Sequence, residues 1–220
     1  MKDVETEGFR LVRYADLSKA DAKYLDSYFA QEILPLLSVM IVGRKQPFPF
    51  LKNREIYALA ILERKGKKKL GIIPCESGML PRLVALPGVP GTYILLEELI
   101  LHYAPGLFKG YKVQEKTLMR ITRNADIDVS KVYDEDLNYR DQMEQVVKLR
   151  KKLAPVRIEF TRDISQKMVG EVCDYCELDE KHVFYSKSPL DLSFVFQIQD
   201  KLRDRQEPVS YTHLTLPTIA

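Results

Sequence analysis

Apolar residues recur along the chain with two different periods, and the switches between them mark out the elements. Ala22, Leu25, Tyr28, Phe29 and Ile33 fall three or four residues apart, which predicts a helix over 18–33 with Ser18 as its N-cap and Asp21 three residues on. Pro35 is expected to stop it. An apolar stretch from Leu36 to Val42 then runs into Gly43-Arg-Lys-Gln-Pro-Phe-Pro-Phe, where the two prolines impose an extended path. Ile56-Tyr-Ala-Leu-Ala-Ile-Leu-Glu-Arg and Leu70-Gly-Ile-Ile-Pro read as the two strands of a hairpin, with Lys65-Gly-Lys-Lys-Lys between them as a solvated basic loop. Beyond the Pro/Gly-punctuated stretch 81–91 come a short strand and a helix over about 96–104, which Pro105-Gly106 should end.

The second half continues in the same mixed manner. Lys116 to Arg123 reads as a strand. Tyr139, Met143, Val146, Val147, Arg150 and Leu153 share one face of a helix over 134–153, acidic at its start and basic at its end as the macrodipole favours. Val156-Arg-Ile-Glu-Phe-Thr alternates as a strand, 164–177 carries a helical apolar stripe, His182-Val-Phe-Tyr is a short strand and 189–202 a last helix. Helices and strands are interspersed with no sustained βαβ repeat, so the expected fold is an α+β domain with a mixed sheet and packed helices.

Composition narrows the class without naming a chemistry. The 220 residues suffice for one domain or one domain plus part of another, and 45% apolar with 30% charged residues excludes a disordered or low-complexity chain. No apolar run approaches the roughly 20 residues of a membrane span; Tyr93-Ile-Leu-Leu, for one, stops at Glu97-Glu98, and Met1-Lys-Asp-Val-Glu has no secretory core. A cytoplasmic location is expected. Cys173-x-x-Cys176 could join Cys75 and His182 around zinc, but Met168, Val169, Val172, Cys173 and Cys176 already form one helical stripe, so the pair reads as core.

Signatures of phosphate-binding loops, dinucleotide folds, zinc proteases, serine hydrolases and EF-hands are all missing from the sequence. None of His102, His182 and His213 has a carboxylate or nucleophile at a telling spacing, and each reads as structural or solvated. One constellation leans toward function. Lys109, Lys112, Lys116, Arg120 and Arg123 oppose Glu115 alone, a local excess of +4 beside a net +3 for the whole chain. With Phe108 and Tyr111 alongside, this cluster could bind a polyanion such as a phosphate chain or single-stranded nucleic acid. Against that, Arg120 and Arg123 differ in parity and should fall on opposite faces of a strand unless a bulge intervenes.

A resemblance gives these pieces an order. Tyr28-Phe-Ala-Gln-Glu-Ile-Leu-Pro-Leu-Leu, Pro47-Phe-Pro-Phe-Leu-Lys-Asn and Tyr57-Ala-Leu-Ala resemble the segment leading into the head, or middle, domain of bacterial polyphosphate kinases. Ile73-Pro-Cys-Glu-Ser-Gly-Met-Leu-Pro-Arg-Leu, Tyr93-Ile-Leu-Leu-Glu-Glu, Met119-Arg-Ile-Thr-Arg-Asn-Ala-Asp, Pro155-Val-Arg-Ile-Glu and Ser188-Pro-Leu-Asp-Leu follow in family order. Asn124 stands where the family usually has Asp, and Ser188 where Gly is usual.

The resemblance implies an enzyme that reversibly transfers the terminal phosphate of ATP to polyphosphate, with magnesium, through a phosphohistidine. It also implies a homodimer. Residues 1–35 would be the end of the helical N-terminal domain and 36–208 the head domain, while the histidine-bearing catalytic domains would lie outside this stretch. No catalytic, cofactor-binding or metal-binding residue therefore carries over. The five basic residues of 109–123 are the candidate polyanion contacts, and the fragment alone is expected to bind neither ATP nor magnesium and to lack activity. The alternative is a free-standing polyanion-binding module without catalysis; nucleic acid is the less favoured ligand. Leu34 to Val42 and Phe194-Val-Phe are expected to be exposed and to drive association. Residues 209–220 resemble translated read-through of a sequencing adapter, the alternative being a divergent native tail.

Overall fold

The seven consecutive apolar residues Ile56–Leu62 can be satisfied as a strand only if both faces are covered, and that requirement organises the molecule. The structure is a computed structural model that describes residues 9–43, 46–75, 80–124 and 154–203. Two compact units divide the chain, Met1–Leu190 and Asp191–Ala220. The first contains strands β1 (Arg10–Leu11), β2 (Met40–Ile41), β3 (Ile56–Arg64), β4 (Lys67–Pro74), β5 (Leu83–Ala85), β6 (Thr92–Leu95), β7 (Lys112–Arg123), β8 (Pro155–Phe160) and β9 (Val183–Tyr185). Its helices are α1 (Lys19–Tyr28), α2 (Leu96–Leu107) and α3 (Gln166–Cys176), and the second unit holds α4 (Phe194–Arg203).

Six strands form one sheet in the order β2-β4-β3-β7-β8-β9, antiparallel except for the parallel β8–β9 pair. A smaller sheet, β1-β6-β5, pairs β1 parallel to β6. The fold is α+β with mixed sheets, as the sequence pattern predicts. Strand alternation sorts the core into two layers. Ala58, Ala60 and Leu62 of β3 join Leu118 of β7 under α1, α2 and the small sheet. Tyr57, Leu59 and Ile61 join Met119, Ile121, Ile158 and Phe160 under the apolar stripe of α3, from Met168 to Cys176.

Helix α1 begins as its cap predicts, with Ser18 Oγ accepting from Asp21 N at 3.1 Å. The buried Asp21 carboxylate accepts from Ser18 Oγ at 2.7 Å and from Gly88 N at 3.1 Å, so the residue held by the cap also ties α1 to the loop before β6. The chain continues beyond α1 through a wider turn, Phe29–Ile33, and a tight one, Leu34–Leu36, and Leu25, Phe29 and Ile33 are buried in the same layer as Val84, Ile94 and Leu99.

Among the boundaries that differ from expectation, three do so for a tertiary reason. The basic hairpin loop shrinks to Lys65-Gly66, whose positive φ values of 51° and 71° suit a two-residue turn matched to strand twist; Lys67–Lys69 are in the strand. Strand β7 starts at Lys112 rather than 116 because β3 offers pairing along its whole length, with a bulge near Gln114. Helix α2 passes through Pro105-Gly106 to Leu107. Proline has no N–H for the Leu101 carbonyl, and Lys116 Nζ supplies the missing donor at 2.8 Å to Leu101 O and 3.2 Å to His102 O. Strands β1, β2 and β5 are two or three residues long, too short to register as a period.

The predicted helix 134–153 and the tail 209–220 lie outside the described residues. Helix α4 starts at Phe194, after a turn in which Asp191 Oδ1 accepts from Ser193 N at 3.3 Å, rather than at 189. Exposure of the predicted association segments is partial: Leu34, Leu36, Val195 and Phe196 are exposed, whereas Val42 and Phe194 are buried.

Candidate functional site

The start of α2 carries two adjacent carboxylates, where the positive end of the helix dipole favours them, and both are matched by arginines from other elements. Arg82 Nη2 and Nε donate to Glu97 Oε1 at 2.6 and 3.1 Å, and the Glu97 side chain is only 4% exposed. Arg162, just after β8, donates to Glu98 Oε2 at 2.5 Å. The Arg82 backbone also begins the helix, its carbonyl accepting from Leu96 N at 2.9 Å.

These ion pairs stand at one side of a cleft of about 530 Å³. Its floor is apolar, with Leu11, Ile56, Leu95, Leu118 and Leu190. Arg13 and Lys187 lie on its rim, both exposed. Sequence reading alone did not single out this cleft. Its only trace there is that Pro81-Arg82, Glu97-Glu98 and Ser188-Pro189-Leu190 belong to runs that carry the family resemblance.

The five basic residues of 109–123 do not converge. Lys116 and Arg120 project toward the α2 side of the sheet, where each serves backbone carbonyls. Lys116 completes α2 as described, and burial together with the Arg162 guanidinium lowers its pKa. Arg120 Nε and Nη1 donate to the carbonyls of Arg54 and Leu190. Arg123 falls on the opposite face, past a register shift at Thr122, where its Nε donates to Leu51 O at 2.8 Å and its guanidinium lies 4.3 Å from the Phe50 ring centroid. Parity thus separates Arg120 from Arg123 as the sequence suggests. Lys109 and Lys112 remain exposed at the end of the sheet beside the Lys65-Gly66 turn, because Lys112 is in register with Glu63.

The cysteines are divided by the sheet. Cys75 is buried in the layer with α2, and Cys173 and Cys176 in the layer with α3, so no zinc set with all three can form. Burial pushes the Cys176 thiol up to about 11 and raises Cys173 and Cys75 as well, which keeps them protonated and inert near neutral pH. His102 stacks on Tyr14 and meets Tyr103 edge-on, a packing role. Among the described residues no group of three His, Cys, Asp or Glu side chains comes together, and Glu97 and Glu98 are engaged by arginines.

Comparison with known proteins places this geometry. The family model described as the polyphosphate kinase middle domain matches residues 20–198. The chain belongs to the polyphosphate kinase family. It is 32% identical to a polyphosphate kinase of Bacillus anthracis over 225 residues, covering 98% of this chain and 31% of that protein. A polyphosphate kinase of Halalkalibacterium halodurans is 32% identical over 218 residues, covering 96% of this chain and 30% of that protein. The chain thus spans about a third of the length of the curated relatives it matches. Among solved structures, the crystal structure of polyphosphate kinase from Porphyromonas gingivalis superimposes with a TM-score of 0.64 at 22% identity, covering 84% of this chain and 26% of that one, and so shares the fold. In this family member, then, Glu97-Glu98 and Ser188-Pro189-Leu190 from two separated family-like stretches line the α2 cleft, with Arg82 of a third holding Glu97, and no helix of the described residues is long and apolar enough to cross a membrane.

Proposed function

We propose that this chain is the scaffolding middle portion of a cytoplasmic enzyme that reversibly transfers the terminal phosphate of ATP to polyphosphate, with ATP and magnesium handled by parts of the protein other than the residues described here. The observation that carries this reading is the match to the middle-domain family over 20–198 in a chain that covers about 30% of its relatives. The chemistry of these groups supports a scaffold: the buried Glu97 carboxylate is neutralised by Arg82, and three of the five cations in 109–123 support backbone carbonyls. Lys109 and Lys112 are left as the members of that run available to a phosphate chain.

The isolated chain is expected to make no acid-insoluble polymer from labelled ATP and magnesium, and ATP-dependent synthesis above a boiled control would overturn the scaffold reading. The same chain is expected to associate as a dimer through its apolar surface, where Leu34 and Leu36 on one unit and Val195 and Phe196 on the other are exposed. Light scattering at tens of micromolar, with and without residues 209–220, tests this; a monomer in both cases refutes it.

A further inference from the structure

Two charge runs separated by some forty residues in sequence share one end of the six-stranded sheet. Across the hairpin Arg64 pairs with Lys67 and Leu62 with Lys69, while Glu63 pairs with both Lys68 of β4 and Lys112 of β7. Directly paired residues share a face and neighbours alternate, so Arg64, Lys67 and Lys69 project together. Tyr111 lies on their side, its ring centroid 5.5 Å from the Arg64 guanidinium and 6.0 Å from Lys69 Nζ. Lys109, exposed in the turn after α2, is two residues from Tyr111. Lys68 and Lys112 project to the other side, with Glu63 between them.

Arg64, Lys67, Lys69 and Lys109 are all exposed, and none forms an ion pair among the described residues. Like charges directly opposite each other destabilise a strand pair, and Arg64 opposite Lys67 is such a pair. Strand geometry sets the Cβ atoms of the paired strand residues about 5 Å apart across the hairpin and about 7 Å apart along it. The two-residue Lys65-Gly66 turn holds the row on a short, twisted hairpin rather than on a long loop.

We propose that this face is a binding site for a linear phosphate polymer, gripped by Arg64, Lys67, Lys69 and Lys109 and separate from the α2 cleft. A row of exposed cations along the end of a sheet fits successive charges of a chain rather than one phosphate ion. Single-stranded nucleic acid is the poorer fit, because such sites stack bases on open aromatic faces, and Tyr111 is half-buried with two cations over its ring. The identity of the polymer as polyphosphate rests on the family reading above. A site of this kind would tether a growing or shortening chain and raise its effective concentration at the enzyme.

The test is fluorescence anisotropy of end-labelled linear polyphosphate with the full 220-residue chain across a salt series. Wild type should bind at low salt and weaken linearly on a log–log plot. Arg64→Gln/Lys67→Gln/Lys69→Gln should bind about tenfold or more weakly, with the salt slope reduced by about 2, since each phosphate contact contributes roughly 0.7 on a single strand. Lys19→Gln/Lys23→Gln/Lys167→Gln, which removes the same charge from exposed lysines on α1 and α3, should keep wild-type binding. Equal losses in both triple variants would assign binding to net charge and overturn the site, as would unchanged binding in the first variant or no binding by wild type. Tighter binding of a single-stranded oligonucleotide of equal charge would reassign the ligand and refute the proposal. The proposed activity is decided separately, by ATP turnover in a chain extended to the length of its relatives.

Discussion

Arg82→Ala is expected to be the most damaging single change in this chain, lowering the free energy of unfolding by about 3–5 kcal/mol. The reason is what it leaves behind. Glu97 keeps its place in the first turn of α2 with a side chain 4% exposed, but the guanidinium that neutralised it and spanned both its oxygens is gone. Removing both charges together should cost far less, because an apolar pair of similar volume needs no solvation. Urea unfolding of Arg82→Ala, Glu97→Leu and the pair Arg82→Met/Glu97→Leu is the measurement. A double variant no more stable than Arg82→Ala would mean that the ion pair is not the source of the loss. The α2 cleft should suffer with the single variant, since the same helix turn presents Glu98 to Arg162.

Gly71→Val is the second large effect. A Cβ at Gly71 would stand 2.6 Å from two ring atoms of Phe108 and 2.9 Å from Leu62 Cδ1, and both neighbours are fully buried. Gly71 is also in the interior of β4, paired with Ile41 on one side and Ala60 on the other, so the backbone has no free edge toward which to retreat. Overpacking of this kind costs about 1–3 kcal/mol for each small insertion, so Gly71→Ala should fall in that range and Gly71→Val above it. The clash is with one ring, which makes it reversible by design. In the double variant Gly71→Ala/Phe108→Leu the two losses should add to clearly less than their sum, and strict additivity in a double-mutant cycle would refute the contact as the cause.

Much of the architecture was legible because it depends on short-range patterns. The Ser18 cap, the β3–β4 hairpin and the stripe from Met168 to Cys176 each rest on residues within a few positions of one another, and each is where the pattern put it. The stripe likewise accounts for the two neighbouring cysteines as core. Family membership was legible for another reason: several independent motifs in a fixed order over most of the chain are specific where any one is not.

What only the tertiary structure decided was which residues meet. Helix α2 outlives its proline because a lysine from β7 reaches the carbonyl that proline leaves without a donor, a contact between residues 15 apart on different elements. The α2 cleft is built from β1, the α2 start, β7 and the segment 187–190, and no local period encodes that convergence. The basic run of 109–123 shows the division most clearly. Composition identified the charges and parity separated Arg120 from Arg123, both short-range properties of a strand. The pairing of Glu63 with Lys112 then brought the hairpin cations beside Lys109 and Lys112, while Lys116, Arg120 and Arg123 were committed to backbone carbonyls. Side-chain alternation is written residue by residue, but the register between distant strands is chosen by burying both apolar faces of β3 at once, and that choice exists only in the folded chain.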